Sequence, residues 1–382
     1  MRAFIGGMYI VQEAMLQTQV GGAKLELDTP CLLLDLDRLE RNIERMAALA
    51  SSAGIGLRPH AKTHKLVEVA QRQLAAGSAG LTVAKLGEAE LFAEHGIRDL
   101  FIAYPLWGES KWRRLCELAS VNEVRVAVDS RDVCLGIASA AARRGLTIPV
   151  RIEVDTGFGR CGVQDAGEAR ALAELITNTR GLRLAGLMSF AGQTYASREG
   201  VREAVFADAA VLSQIAGELR DRSFEVAEIS VGSTPSAGHL GSLTGVTEFR
   251  PGTYVFSDRD QAALGWGTEA DCALTVLATV VSRPTAARAV IDAGTKTLSS
   301  DRAGQVDGWG AIVGHPSWRL VTLNEEHGLI ELPPGEDPPI GATVEIVPNH
   351  ACGALNLHDW VAVVVGDEVR DWWRVAGRGL VR

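Results

Sequence analysis

From Ile55 onward, short apolar runs alternate with stretches whose apolar positions recur every three to four residues. The runs GIGLRPH, SAGLTVA, DLFIAYP, VRVAV, IPVRIEVD, LAGLMSF, EISVG and TEFRPGTYVF read as strands. Between them, KLVEVAQRQLA, LGEAELFAEHG, SKWRRLCELA, CLGIASAAARRG, EARALAELI and VREAVFADAAVLSQIAGEL carry the helical period. Eight strands, most followed by a helix, predict an α/β chain built on a TIM-like (β/α)8 barrel over roughly Ser51–Asp258. A doubly wound open sheet is the competing arrangement, and the strand count and regular spacing speak against it. After Asp258 the period changes to two. ALTVLATVVSR, ARAVIDAG, WRLVTLN, GLIELP, ATVEIVP and DWVAVVVGDEVRDWWRVAG alternate between Gly/Pro turns and predict a β-rich C-terminal domain. The early run TPCLLLDL is one strand too many for the barrel and is assigned to that β domain. The expected division is residues 1–50 as a segment lending this strand, 51–260 as the barrel and 261–382 as the β domain.

Composition narrows the class. The 382 residues are 47% hydrophobic and 22% charged, with a net charge of −9 spread without runs, so no basic nucleic-acid footprint exists. No apolar run approaches the ~18 residues that suggest a membrane span. The stretch MRAFIGGMYIVQEAMLQ lacks the apolar centre of a signal peptide; Met8 and Met15 are alternative starts, which leaves the order of the first twenty or so residues open. Six cysteines without paired spacing predict reduced thiols and a cytoplasmic location.

The candidate chemistry begins at LRPHAKTHK. On an extended chain His60, Lys62 and His64 would point the same way, which leaves a nucleophilic lysine, a histidine metal site and a solvated loop as readings. Barrel sites lie at the carboxyl ends of the strands, and Lys62 ends the first of them. A lysine desolvated there can form a Schiff base with an aldehyde. EVDTGFGRCG brings Glu153, Asp155 and Arg160 to another strand end. In SVGSTPSAG, Gly232, Ser233, Thr234 and Ser236 can cradle a phosphate, and FRPGTYVF adds Arg250 with the Gly252–Thr253 backbone. Lysine, phosphate cup and arginine together suggest pyridoxal phosphate. In NHACGALNLHD, His350 and Cys352 would share one side of an extended strand. Their spacing fits either a borderline-soft metal pair or a buried cysteine beside a structural histidine.

PHAKTHK, VDTGFGRCG, VGSTP, RPGTY and the late PNHAC with NLHD occur in this order, and the chain from about Asp28 to Arg378 resembles the D-threonine aldolase and D-serine dehydratase family. These are fold-type III pyridoxal-phosphate enzymes related to alanine racemase. The resemblance implies that Lys62 carries the cofactor, with His60 and His64 shaping its surroundings. It implies a phosphate cup of Gly232, Ser233, Thr234, Gly252, Thr253 and Tyr254, and Arg160 or Arg250 at the pyridine nitrogen. It also implies a catalytic divalent metal, Zn²⁺ or alternatively Mn²⁺ or Mg²⁺, on His350 and Cys352. A small amino-acid substrate and a homodimer follow from the same likeness.

Details divide the family. Cys352 resembles the His-x-Cys of the dehydratases rather than the His-x-Asp of the aldolases. VGSTP and the absence of YHG in SFAGQTY point the same way, whereas Arg250 in RPGTY resembles alanine racemase. The expected activity is β-elimination on 3-hydroxy D-amino acids. Retro-aldol cleavage, racemisation (with Tyr9, Tyr104, Tyr195 or Tyr254 as a second base) and a non-catalytic cofactor carrier are the rivals. His95, His239, His315 and His327 are read as solvated or structural, Asp292 as structural, and His358 with Asp359 as candidate support for the metal.

Overall fold

The computed structural model describes residues 16–382, so Tyr9, Met8 and the start of the N-terminal segment lie outside the described residues. The chain forms two compact units. One runs to Asn42 and resumes over Val255–Arg378; the other spans Ile43–Tyr254 with Gly379–Arg382.

The second unit is the barrel. Its eight strands are β2 (Gly56–Leu57), β3 (Leu81–Val83), β4 (Asp99–Ile102), β5 (Glu123–Val128), β6 (Ile148–Glu153), β7 (Leu182–Met188), β8 (Glu228–Val231) and β9 (Glu248–Phe249). They pair in parallel in the order β2-β9-β8-β7-β6-β5-β4-β3. The ring closes where β2 meets β3, through a parallel bridge at His60 and Thr82 and the bond from Ala79 N–H to Leu57 O at 2.8 Å. Closure removes the open-sheet alternative. Helices cover the outer face, so the strands are buried on both sides and read as nearly continuous apolar runs.

Period-two alternation sorts the inward residues into layers. Asp99, Arg125, Arg151, Glu228 and Glu248 lie two residues below Phe101, Ala127, Glu153, Ser230 and Arg250 on their strands. With Arg58, the lower set closes a ring of alternating charge. Arg58 donates to Glu248 (2.6 Å) and Asp99 (2.7 Å), and Arg125 to Asp99 (2.6 Å) and Glu228 (3.1 Å). Arg151 joins Glu228 (2.7 Å) to Glu248 (2.5 Å). Three arginines and three carboxylates cancel, so the ring itself carries no net charge. Gly186 permits the close approach of β7 to β8, since a Cβ there would lie 1.9 Å from Glu228 O.

The other unit is a nine-stranded sheet. β1 (Cys31–Asp35) lies within it, antiparallel to β10 (Leu274–Thr285) and parallel to β16 (Trp360–Val365). β17 (Glu368–Arg374) forms a hairpin with β16, and Trp360 and Trp372 pack with Leu33, Leu277 and Val369. β15 (Thr343–Pro348) pairs with β10 and leads into the short helix Ala351–Leu355. Asp292 is structural, accepting from Thr29 Oγ1 (2.6 Å) and Thr279 N–H (2.8 Å). The six cysteines are unbridged, and among the described residues no helix is long and apolar enough to cross a membrane.

Candidate active site and metal pair

Every candidate cofactor residue lies on the loops that leave the carboxyl ends of the barrel strands, because each motif directly follows a strand. Lys62 sits on a single 3-10 turn, Ala61–Thr63, not on an extended chain. The expected common face of His60, Lys62 and His64 is therefore lost. Turn geometry replaces the two-residue period, and His60 caps the turn by accepting the Lys62 N–H at 3.4 Å. Lys62 is exposed, its Nζ 5.6 Å from the centroid of the Phe190 ring. Burial first, then the charges of Lys62, Arg250 and Arg160, push His60 well below its ordinary 6.5 and keep it neutral.

His64 turns inward. It is wholly buried, its Nδ1 lies 3.1 Å from both the N–H and the carbonyl of Leu66, and its ring meets the edge of Phe92. Desolvation lowers it from 6.5 to about 3. The unfolded chain takes up the proton first, so His64 should cost stability progressively as pH falls from about 6.5 towards 3. We expect the loss of unfolding free energy between pH 7 and pH 4.5 to be smaller in His64→Asn than in the parent, as read by urea titration. An equal loss would assign the acid sensitivity elsewhere.

The two arginines differ. Arg250 is 5% exposed and its terminal nitrogens are engaged, one by Ser230 Oγ and one by Ser189 O. Desolvation lowers it to about 10. Ser230 in turn donates to Glu248 at 2.6 Å, tying Arg250 to the charged ring. Arg160 has a half-exposed side chain, lies over Phe158 and Phe190 at 5.4 and 4.8 Å, and approaches Glu153 at 3.8 Å. Its loop is pinned by Asp155, which accepts from the N–H groups of Gly157, Phe158 and Gly159. Buried Asp208 holds the same loop through Thr156 Oγ1 at 2.5 Å.

The cup residues converge. Gly232 has φ +129°, and a Cβ there would lie 2.6 Å from the Phe249 ring; a Cβ on Gly252 would lie 2.7 Å from Thr63 Oγ1. Ser233 opens a nine-residue 3-10 helix, Thr234–Ser242, with its hydroxyl against Thr194 (2.9 Å) and Ser236 (2.6 Å). Thr234 Oγ1 accepts from Tyr254 N–H at 3.0 Å, and Thr253 is buried. Tyr254 is buried, and its hydroxyl accepts from Gln73 Nε2 at 3.0 Å. Two glycines with no room for a side chain, a helix start and buried hydroxyls form a cradle that fits a phosphate. An exposed amine on one neighbouring loop and a half-exposed guanidinium on another complete a donor set suited to pyridoxal phosphate.

His350 and Cys352 also depart from the extended geometry. β15 ends at Pro348, His350 is the residue before the helix Ala351–Leu355, and Cys352 lies in its first turn. The side chains still meet, as the hydrogen bond between them and the strong upward shift of His350, caused first by Cys352, attest. Asn349 and Ala351 fix the backbone on either side: Asn349 O accepts from Asp260 N–H (3.2 Å), and Ala351 N–H donates to buried Asp258 (2.9 Å). Among the described residues no group of three or more His, Cys, Asp or Glu could hold a metal. An ion on this imidazole–thiol pair would therefore keep several positions for water or substrate.

His358 and Asp359 bind elsewhere, to Thr297 O (3.1 Å) and Arg378 (2.6 Å) respectively. The carboxylate that does reach His350 is Asp301, with Oδ2 2.7 Å from Nδ1. It lies 49 residues upstream in a polar loop, and no motif marked it. Phe190 was missed too, since one aromatic after a strand resembles any core residue.

The model of the alanine racemase N-terminal domain matches residues 34–260, and that of the serine dehydratase domain matches residues 273–364. A D-threonine aldolase of Arthrobacter sp. is 37% identical over 370 residues, covering 95% of this chain and 96% of its own. The D-threo-3-hydroxyaspartate dehydratase of Delftia sp. (strain HT23) is 34% identical, covering 92% and 98%. A solved D-threo-3-hydroxyaspartate dehydratase, a cysteine-to-alanine variant in the metal-free form, superposes with a TM-score of 0.86 at 33% identity over 92% of this chain and 98% of its own. A second, a histidine-to-alanine variant altered two positions earlier, gives 0.88 at 32% over 96% and 98%. Matched over nearly its whole length, the chain belongs to the D-threonine aldolase and D-serine dehydratase family of fold-type III pyridoxal-phosphate lyases.

Proposed function

We propose that this enzyme is a pyridoxal-phosphate- and divalent-metal-dependent lyase. It eliminates the 3-hydroxyl of a 3-hydroxy D-amino acid, giving a 2-oxo acid and ammonia. The observation that carries this reading is the His350–Cys352 pair, a histidine and a cysteine two apart as in the two altered positions of the solved D-threo-3-hydroxyaspartate dehydratase variants. That relative has a metal-free form when the cysteine is replaced. We assign the same ligand role here and favour Zn²⁺, the ion that best suits imidazole with thiolate.

Gly232, Ser233, Thr234, Gly252, Thr253 and Tyr254 hold the cofactor phosphate in this reading. Arg160 or Arg250 faces the pyridine nitrogen in this reading; each terminal nitrogen of Arg250 makes one bond, to Ser230 or Ser189, and carries a second N–H. When bound, pyridoxal phosphate supplies an electron sink that acidifies the substrate Cα–H. Lys62 holds the cofactor before substrate arrives and then removes the Cα proton as general base. Neutral His60, at the start of the lysine turn, adds no positive charge beside the amine. His350 and Cys352 hold the ion that polarises the 3-hydroxyl, a poor leaving group unaided.

The second reading is retro-aldol cleavage to glycine and an aldehyde, favoured by the 37% identity to the Arthrobacter aldolase. Racemisation needs a second base, for which Tyr104 and Tyr195 are candidates as well as Tyr254, whose hydroxyl accepts from Gln73. A cofactor carrier is disfavoured by the additional β unit. Product analysis decides. With D-threonine, pyridoxal phosphate and Zn²⁺, we expect 2-oxobutanoate and ammonia, both abolished by EDTA; glycine and acetaldehyde would make the enzyme an aldolase. The reading places it in the cytoplasm as a homodimer, to be checked by fractionation and light scattering.

A further inference from the structure

The pair His350–Cys352 sits on backbone anchored on both sides, yet an anchored backbone does not orient an imidazole. His350 is half-exposed, and rotation about its side-chain bonds would swing either nitrogen away from Cys352. Asp301 holds the ring by one of them, with Oδ2 at 2.7 Å from Nδ1. With Nδ1 held, Nε2 is the nitrogen left to face Cys352, which is the arrangement that a single bound ion needs.

The loop carrying Asp301 is itself seated for the purpose. Ser299 adopts φ +68°, a left-handed conformation rare for a side-chain-bearing residue, and its Oγ accepts from Asp301 N–H at 3.2 Å. Gly353, one residue past Cys352, lets this loop approach. A Cβ there would lie 2.9 Å from both Asp301 Oδ2 and Ser299 Oγ. The clearance is specific to glycine although Gly353 lies within a helix, where glycine is normally unfavourable. A half-exposed pair such as this adds little to folding stability, so strain and a helix glycine spent on it point to another role.

We propose that Asp301 is the positioning residue of the metal centre. It fixes His350 through Nδ1 so that Nε2 and the Cys352 sulfur converge on one borderline-soft divalent cation, and Gly353 supplies the space for it. The inference rests on the metal reading above and deepens it. Asp301 does not itself ligate the ion.

The test titrates metal-stripped holoenzyme with Co²⁺, following thiolate-to-metal absorption and measuring affinity by competition with a chromophoric chelator. Asp301→Ala should weaken Co²⁺ binding by about 10–100-fold, the usual effect of losing such a partner. Asp301→Asn keeps an acceptor for the imidazole N–H without the charge and should fall between Asp301→Ala and the parent. Gly353→Ala, which leaves Asp301 in place chemically but displaces it, should resemble Asp301→Ala. Unfolding midpoints of metal-free forms should stay together, separating positioning from misfolding. Equal affinity and an equal spectrum for Asp301→Ala and the parent would overturn the proposal while leaving the metal pair standing. Failure of the parent to bind Co²⁺ at all would overturn the metal pair, and this inference with it.

Discussion

Glu248→Gln should destabilise the barrel by about 3–5 kcal/mol, the cost of breaking a buried ion pair from one side. Glu248 accepts from Arg58 Nε (2.6 Å), Arg151 (2.5 and 3.0 Å) and Ser230 (2.6 Å), and Arg151 has no exposed side-chain surface. An amide cannot accept from all of these and turns N–H groups towards a guanidinium. Two arginines would then share less negative charge than they carry. Urea unfolding of the metal-stripped protein measures the effect, with an unchanged slope marking a true stability loss. Adding Arg151→Met should restore part of it, because the second change removes the charge left stranded. A loss below 1 kcal/mol would show that solvent reaches the ring.

The pH dependence of the same residue has a definite sign. Desolvation alone would raise Glu248 from its ordinary 4.5, but Arg151 and Arg58 outweigh it and hold the carboxylate far below that value. A depressed carboxylate contributes stability that is fully present above about pH 4.5 and is lost as pH falls towards the folded value. The gap between parent and Glu248→Gln should therefore be constant from pH 8 to 5 and narrow only in stronger acid.

Lys62→Ala should lower turnover by at least about 10³-fold, since it removes both the cofactor anchor and the general base. The visible absorption of lysine-bound cofactor should vanish, and borohydride should no longer fix cofactor to the chain. Lys62 is exposed on a one-turn loop, so the unfolding midpoint of the cofactor-free protein should not move. Covalent attachment surviving the substitution would assign the nucleophile to another lysine. Turnover surviving without attachment would assign the base elsewhere.

Arg250 shows how far local reading extends. Its motif, RPGTY, suggested a cofactor contact, and its strand position does bring it inward. How its guanidinium is held depends on Ser230 and Ser189, residues 20 and 61 positions away, each of which accepts from one terminal nitrogen. Tyr254 repeats the lesson: sequence proximity placed it in the cup, but a helix residue, Gln73, captured its hydroxyl. In both cases the backbone position was legible and the side-chain partner was not.

The eight barrel strands, the β-rich character of the other unit and the motifs that follow the strands were determined by the sequence itself. Apolar period and the placement of Gly, Ser and Thr after each strand are local properties, and a parallel barrel puts all such ends on one face. Tertiary structure alone decided the rest. The six charges of the interior ring are single polar residues in separate apolar strands, and only closure of the barrel makes them neighbours. The two-residue spacings at Lys62 and His350 predicted extended chain, but a 3-10 turn and a helix start occupy those places: His60 accepts the Lys62 N–H, and the distant Asp258 carboxylate accepts the Ala351 N–H. Asp301 meets His350 across 49 residues, a contact made by chain folding and by the missing side chain of Gly353, neither of which a period or a motif encodes.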